Sequence, residues 1–160
     1  MGANAVALLT PLETIVGSDD SLVREKATQA LHKVSAVLPE PTVKTVYLQL
    51  CKRLKKGDVF SMRIASCALY ANIYVRLAQE ERASVHKKFK KLCADDTPMV
   101  RWGAAQAIAV LSENMTSVQI CEIILPLLKD LLNDKNDSVK VHAVGSSVNV
   151  VKHVKEISKI

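Results

Sequence analysis

The sequence has few of the residues that build cofactor cavities or hold nucleotides. Aromatic residues make up 4% of its 160 positions, and there are five glycines and five prolines. It contains no glycine-rich phosphate loop, no nucleophile elbow and no His-Glu pair of the kind that holds a catalytic metal. We therefore expect a protein that is not an enzyme and that binds no metal and no cofactor.

Long apolar runs are also missing. No segment approaches the roughly 20 apolar residues that cross a bilayer, so we expect no membrane partner. The first residues lack the basic segment of a secretory signal, and Val6 stands where N-myristoylation needs Ser or Thr. We expect a protein without a secretory leader or a lipid anchor.

The four cysteines lack the close spacing of metal-binding or redox pairs. They are Cys51, Cys67, Cys93 and Cys121. Each lies within an apolar helical pattern, so we expect four reduced core thiols and a cytoplasmic protein that could also occur in the nucleus. The formal net charge of +6 allows contact with acidic partners, but an overall charge does not define a site.

What the sequence does have is a repeated helical pattern. Hydrophobic residues make up 49% of it, and a cation recurs at intervals of 38 or 39 residues. The four cations are Arg24, Arg63, Arg101 and Lys140. Three positions after each lies a small residue, as closely crossing helices require: Ala27, Ser66, Ala104 and Ala143. Apolar residues at fixed offsets on both sides predict two helices per unit.

A period near 39 with two helices per unit is typical of HEAT and armadillo repeats. We therefore predict an all-α, right-handed α-solenoid of four HEAT repeats, each an antiparallel helix pair. The prediction is one domain over residues 1–160, with repeats at about 4–38, 42–77, 79–115 and 117–154. Both ends are more apolar than the ends of a solenoid usually are. We expect either further repeats beyond them or self-association through them.

Local signals set the helix starts. Thr97 is a typical N-cap, and Pro98 suits the first helical position, where its missing N–H costs nothing. Asp20 and Asn136 are the predicted caps in the first and fourth units. Gly103 and Gly145 lie inside helices, where each is unfavourable by about 1 kcal/mol. We interpret both glycines as positions of close helix packing.

Three runs of residues resemble the scaffold (A) subunits of protein phosphatase 2A. In chain order they are Leu8–Glu13, Lys52–Arg63 and Cys93–Arg101. The similarity extends through all four units and corresponds to about the third to sixth of that family's fifteen HEAT repeats. In the family, turns of the N-terminal repeats hold a regulatory B-type subunit, whereas the C-terminal repeats hold the catalytic subunit.

The resemblance implies that this chain binds a B-type subunit, whereas the catalytic subunit joins only through repeats absent here. The implied partner-binding residues are Asp19, Asp20, Asp58, Val59, Phe60, Asp96, Thr97, Pro98, Met99, Arg101, Trp102, Asp137 and Ser138. Two of them depart from the family pattern. Val59 stands where Trp is common, and Trp102 where a second Arg is common.

The same residues also have structural interpretations. Aspartates recur near the cation in every unit, which predicts a ladder of Asp–Arg pairs between repeats, with Asp58 and Arg101 as one pair. Met99 and Phe60 either anchor a partner or fold back onto the neighbouring repeat. For Trp102 we favour packing over an interface role.

Three other functions remain alternatives. A nucleic-acid-binding solenoid would use the basic runs Lys52–Lys56 and Lys87–Lys91, but without interleaved exposed aromatics a solvated outer face is the better interpretation. We therefore do not expect nucleic acid to be a partner. A HEAT or armadillo transport adaptor would repeat Asn and Trp at fixed positions, and no such column occurs. A HEAT-like enzyme would need clustered metal ligands.

Overall fold

The computed structural model describes residues 2–157, and these residues form helices joined by short turns, with no β-strand among them. Met1 and residues 158–160 lie outside the described part. The α-helices are α1 (Gly2–Val6), α2 (Leu9–Ile15), α3 (Ser21–Val37), α4 (Glu40–Thr42), α5 (Leu48–Lys55), α6 (Phe60–Ile73), α7 (Gln79–Cys93), α8 (Pro98–Ser112), α9 (Ser117–Gln119), α10 (Leu125–Leu132) and α11 (Asp137–Ile157). A 3-10 turn, Tyr74–Arg76, extends α6.

The helices of residues 2–157 form successive pairs. In chain order, the first members of the four pairs are α1 with α2, α4 with α5, α7 alone, and α9 with α10. The second members are α3, α6, α8 and α11. Each first member packs on its own second member, and the closest packing between pairs is that of α8 against α6 and α11. The second helices therefore form a continuous layer. How many family repeats these pairs represent stays a prediction.

Two of the first helices contain a π-helical turn, Val43–Tyr47 between α4 and α5 and Ile120–Ile124 between α9 and α10. Pro126 lies just after the second of these turns. A proline removes one backbone donor and crowds the carbonyl four residues earlier, and a wider turn relieves that crowding. The first helices are consequently less regular than the second helices.

Small residues bring the second helices together, as the repeat pattern predicts. Ala27, Ser66, Ala104 and Ala143 are all buried. Larger side chains fill the space between the two layers, and Tyr47 and Phe89 have no exposed surface. Three cysteines are buried as predicted, but Cys121 is exposed, so its prediction as a core thiol is wrong. The Tyr47 hydroxyl donates to the carbonyl of Leu31 at 2.9 Å, which satisfies its polar atom inside the core.

The helix starts differ in how they are capped. Asp20 caps α3 by accepting from the Val23 N–H at 2.9 Å, and Asn136 accepts from the Ser138 N–H at 3.0 Å, as predicted. Thr97 occupies the N-cap position of α8, but its side chain makes no capping bond. The capping prediction for Thr97 is wrong because its hydroxyl accepts from Arg63 instead, at 3.0 Å.

The exposed side of α11 is apolar. Its outward residues recur at helical spacing on one stripe: Val141, Val144, Val148 and Val151. This stripe agrees with the apolar C-terminal end seen in the sequence, and self-association through it stays a prediction. No helix within residues 2–157 is both long and apolar enough to cross a membrane.

The two helical glycines have different surroundings. A β-carbon on Gly103 would lie 3.0 Å from the Ile64 side chain, so Gly103 is a close-packing position as predicted. A β-carbon on Gly145 would meet nothing within 4 Å, so the same interpretation of Gly145 is wrong. Gly145 lies on the exposed side of α11, where no other helix of the described chain covers it.

We expect Gly145→Ala to raise the free energy of unfolding by about 0.5–1 kcal/mol, because alanine loses less backbone entropy in a helix and has room here. Urea unfolding followed by circular dichroism measures the change. Gly103→Ala is the matched comparison, and its β-carbon must displace Ile64. A loss of stability in Gly145→Ala as large as that in Gly103→Ala would contradict the assignment.

Candidate partner-binding ridge

The turns within the helix pairs are joined into one row, which we call the ridge. It comprises residues 16–20, 56–59, 94–97 and 133–136 with the first turn of each following helix. Ser61 donates to the carbonyl of Val16 at 3.1 Å and so joins the first turn to the second. Arginine side chains join the later turns. The ridge residues consequently have a fixed spacing.

Arg63 connects the second turn to the third. Its Nη1 donates to the carbonyls of Gly57 and Asp58 at 3.0 and 3.1 Å, within its own turn. Its Nε and Nη2 donate to the two carboxylate oxygens of Asp95 at 2.9 and 3.2 Å. Nη2 also donates to the Thr97 hydroxyl. The planar guanidinium thus closes one turn and holds the next.

Arg101 repeats this arrangement between the third and fourth turns. Its Nη1 donates to the carbonyls of Asp95 and Asp96 at 2.7 and 3.2 Å. Its Nε and Nη2 donate to the carboxylate of Asp134 at 2.6 and 2.9 Å. The Arg101 and Asp134 side chains are only 17% and 8% exposed, so solvent screens this ion pair less than a surface pair.

The carboxylates of the ladder are held in their charged form. Partial burial would raise the pKa of Asp95, but the bonds from Arg63 and from the Thr97 N–H hold that pKa below its usual range. The hydrogen bond from Arg101 lowers the pKa of Asp134, against a smaller opposing effect of burial. Both groups therefore stay ionised at neutral pH.

The predicted ladder exists, but the predicted pair of Asp58 and Arg101 is wrong. Each arginine reaches forward to the carboxylate six positions before the next cation, so Arg101 pairs with Asp134 and Arg63 with Asp95. Asp58 contributes only its backbone carbonyl, to Arg63. The first step of the ladder also lacks its carboxylate, because Gly57 occupies the corresponding position.

Arg24 is the cation of that first step, and it closes only its own turn. Its Nη1 donates to the carbonyls of Ser18 and Asp19 at 2.8 and 2.7 Å. Asp19 and Asp20 are exposed beside it. The first turn is therefore held to the second by Ser61 and by packing against Met62 near Gly17, without an ion pair.

Three apolar ridge residues are open to solvent. Val59 is 45% exposed, Phe60 41% and Met99 46%. Met99 and Phe60 therefore remain available to a partner and are not buried against the neighbouring repeat. Val59 occupies the N-cap position of α6, but a valine side chain cannot cap a helix. The start of α6 therefore does not explain why a valine stands there.

Phe60, Met99 and Trp102 line one groove on the side of the second helices. The groove is about 500 Å³ in volume, and its remaining lining residues come from α3, α6 and α8: Ser21, Arg24, Glu25, Thr28, Ser61, Ile64, Ala65, Ala68 and Gln106. Three successive second helices thus contribute to one surface. The apolar residues of that surface come from α6 and α8, and its charged residues, Arg24 and Glu25, come from α3.

Trp102 is fixed in place from the fourth unit. Its indole N–H donates to Nε2 of His142 at 2.7 Å, and the two rings meet edge to face with centroids 4.8 Å apart. Nδ1 of His142 lies 2.8 Å from the Ser138 carbonyl, which requires the neutral tautomer with its proton on Nδ1. Trp102 is half-buried, so it packs between repeats and also shows one face to the groove.

The remaining predicted residues lie on the ridge but outside this groove. Pro98 is half-buried at the first position of α8, and Asp96 is exposed. Asp137 is exposed and pairs with Lys140 at 2.6 Å. Ser138 is exposed one residue further on. The structure therefore brings together Phe60, Met99 and Trp102, and it spreads the others along the row.

Sequence reasoning missed Ile64, Ala68, Gln106 and His142. The first three line the groove, and the last one positions Trp102. They lie one, two or five residues after a ridge cation, and comparing those columns between units would have found them. Among the described residues, no group of three His, Cys, Asp or Glu side chains could hold a metal ion.

Comparisons with known proteins find a solved structure of similar fold and relatives of similar sequence. No protein-family model matches the chain. The crystal structure of Cex1p matches with a TM-score of 0.67 and 16% identity, over 92% of this chain and 28% of that one. This match, together with the stacked helix pairs, confirms the predicted helical-repeat solenoid.

Relatives are found by sequence. A protein phosphatase 2A scaffold subunit of Dictyostelium discoideum is 36% identical over 78% of the chain and 21% of the relative. The regulatory (A) subunit of protein phosphatase PP2A from Schizosaccharomyces pombe is 31% identical over 98% of the chain and 27% of the relative. A probable serine/threonine-protein phosphatase PP2A regulatory subunit of Caenorhabditis elegans is 30% identical over 88% and 24%.

The fold thus defines a helical-repeat protein whose intra-pair turns form a row. The chain is similar over most of its length to part of the scaffold (A) subunit of protein phosphatase 2A, which confirms the resemblance inferred from its sequence. It spans about a quarter of the length of these relatives.

Proposed function

We propose that this chain is a non-catalytic scaffold segment and that its ridge binds a regulatory B-type subunit of protein phosphatase 2A. One observation carries the proposal. Phe60 and Met99 are exposed on turns whose spacing the Arg–Asp ladder fixes, and with Trp102 they line a single groove. The names of the sequence relatives, which are scaffold and regulatory (A) subunits, support the same role.

The mechanism is positional. A partner that inserts apolar side chains between Phe60 and Met99 gains affinity from burying them, because exposed aromatic and methionine side chains are frequent energetic centres of interfaces. Arg24 and Glu25, which line the groove from α3, offer charged contacts that select the orientation of the partner. Further repeats of a longer scaffold would then hold the catalytic subunit beside the regulatory one.

The test uses surface plasmon resonance to measure binding of the 160-residue chain, in separate experiments, to a purified B-type subunit or to the catalytic subunit. We expect only the B-type subunit to bind. The double variant Phe60→Ala/Met99→Ala is expected to weaken this binding at least tenfold, a loss of about 1.4 kcal/mol. Binding of the catalytic subunit without the B-type subunit would overturn the proposal.

The control variant is Val75→Ala/Val110→Ala. These valines are 55% and 40% exposed, but they lie at the opposite ends of the second helices, away from the ridge. We expect less than a twofold change in affinity for the B-type subunit. Equal losses in both double variants would show that general surface hydrophobicity, and not the ridge, drives the binding.

A further inference from the structure

The two basic runs of the sequence meet in one groove on the opposite layer of the molecule. Helices α5 and α7 contribute to it, and its volume is about 810 Å³. Its lining residues are Gln49, Lys52, Arg53, Lys55, Lys56, Lys87, Lys88 and Lys91. Segments that lie about 35 residues apart in the sequence thus form one surface with seven cations and no acidic side chain.

Most of this positive charge is not neutralised within the protein. Arg53 is paired, because its Nε and Nη2 donate to Glu13 at 2.8 and 2.7 Å. None of the six lysines forms a salt bridge with a described carboxylate, and Lys88 bonds only Ser84. The carboxylate of Asp95 acts on Lys55 from a distance, but it is already held by Arg63.

The lysines lie close enough to repel one another. Burial lowers the pKa of Lys55, and the charge of Lys91 lowers it further. Burial likewise lowers the pKa of Lys88, and Lys52, Lys55 and Lys87 add to the effect. A bound polyanion would offset this repulsion, so the electrostatic contribution to the binding of such a ligand is favourable.

The shape of the cluster limits what that ligand can be. Lys52 to Lys56 and Lys87 to Lys91 each cover four residue steps, about 6 Å along a helix. An extended acidic peptide places side chains on one face about 7 Å apart, so only two or so of its carboxylates would reach the cluster. A small ring that carries several phosphates concentrates more charge in the same length.

The residue types favour phosphate over bases. Lysine binds phosphate as a point charge and needs no planar partner. Base recognition in single strands relies on exposed aromatic side chains, and no aromatic residue lines this groove. Phe89, which lies between the lysines of α7, is fully buried.

We propose that the groove between α5 and α7 binds a compact soluble ligand with several phosphate groups, of the inositol polyphosphate class. The site lies along the first helices and meets the ridge only at Lys56. It shares no lining residue with the groove of Phe60, Met99 and Trp102, so it does not depend on the proposed binding of a B-type subunit. A ligand there leaves that groove open.

The test titrates the 160-residue chain with inositol hexakisphosphate by isothermal calorimetry at 0.15 M salt. The variant Lys52→Gln/Lys55→Gln/Lys88→Gln/Lys91→Gln is expected to lose at least tenfold in affinity. In the unsubstituted chain, the pKa of Lys55 is expected to rise when the ligand is bound, as followed by NMR of the side-chain amine. Absence of binding at a ligand concentration of about 1 mM would overturn the proposal.

A control variant removes the same amount of charge elsewhere. It substitutes four exposed lysines outside the groove with glutamine: Lys26, Lys33, Lys129 and Lys135. We expect its affinity for inositol hexakisphosphate to change less than twofold. Equal losses in the two variants would overturn the proposal, and so would tighter binding of an octaglutamate peptide or of a 20-nucleotide thymidine strand.

Discussion

Replacing Arg101 by methionine is expected to lower the free energy of unfolding by about 2–4 kcal/mol. The substitution keeps an apolar stem but leaves the carboxylate of Asp134, which is 8% exposed, without its cation. It also removes the donor of two backbone carbonyls in the third turn. Breaking a buried ion pair costs about 3–5 kcal/mol, and the partial exposure here reduces that figure.

A double-mutant cycle separates the pair from its surroundings. We expect Arg101→Met and Asp134→Ala to show a coupling of about 1–3 kcal/mol in urea unfolding, because the two side chains share two hydrogen bonds. Asp58→Ala is the control, since the Asp58 side chain is exposed and is not paired with Arg101. Additivity of Arg101→Met with Asp134→Ala would contradict the ladder.

The period of the cations made the solenoid predictable, because stacked repeats require the same residue type at the same place in each unit. The partner of each cation was not predictable in the same way. Aspartates occur in all four turns, and which one an arginine reaches depends on the offset between stacked pairs. Arg101 reaches forward to Asp134, where the sequence suggested Asp58.

For Thr97, too, the sequence predicted the position in the helix but not the hydrogen-bond partner. Its position before Pro98 identified the start of α8, and the helix begins there. Its hydroxyl, however, is used by an arginine of the preceding unit. A contact between residues 34 positions apart competes with the local capping bond, and local sequence rules contain no information about that competitor.

The repeat period predicts the basic groove only in part. Aligning the units by their ridge cations superimposes Arg53 on Lys91, but it places Lys87 and Lys88 on Gln49 and Leu50. The two runs share a groove because the side chains of α5 and α7 face the same space between adjacent first helices. The two basic runs, which look like separate solvated helix faces in the sequence, therefore form one surface in the structure.

The two layers of the solenoid differ in how their charges are used. On the ridge, arginines are paired with carboxylates and bind the turns into a fixed row. In the groove of the first helices, lysines are left without such partners. Paired charges hold structure, whereas unpaired charges of one sign attract a ligand of the opposite sign. The ridge and the groove are therefore suited to different partners.

Replacing each of the two phenylalanines by alanine distinguishes a residue that stabilises the fold from one that binds a partner. Phe89 is fully buried on α7, and Phe60 is 41% exposed at the start of α6. We expect Phe89→Ala to lower the free energy of unfolding by about 3–5 kcal/mol, because it leaves a cavity between the helix layers. Urea unfolding followed by circular dichroism measures the loss, with an unchanged slope on denaturant concentration.

Phe60→Ala is expected to cost less than about 1 kcal/mol in the same measurement, because much of its ring already contacts water in the folded chain. Its effect should appear instead as weaker binding of the B-type subunit. If Phe60→Ala destabilised the chain as much as Phe89→Ala, its loss of partner binding would reflect unfolding. The pair of variants thus decides whether Phe60 belongs to the core or to an interface.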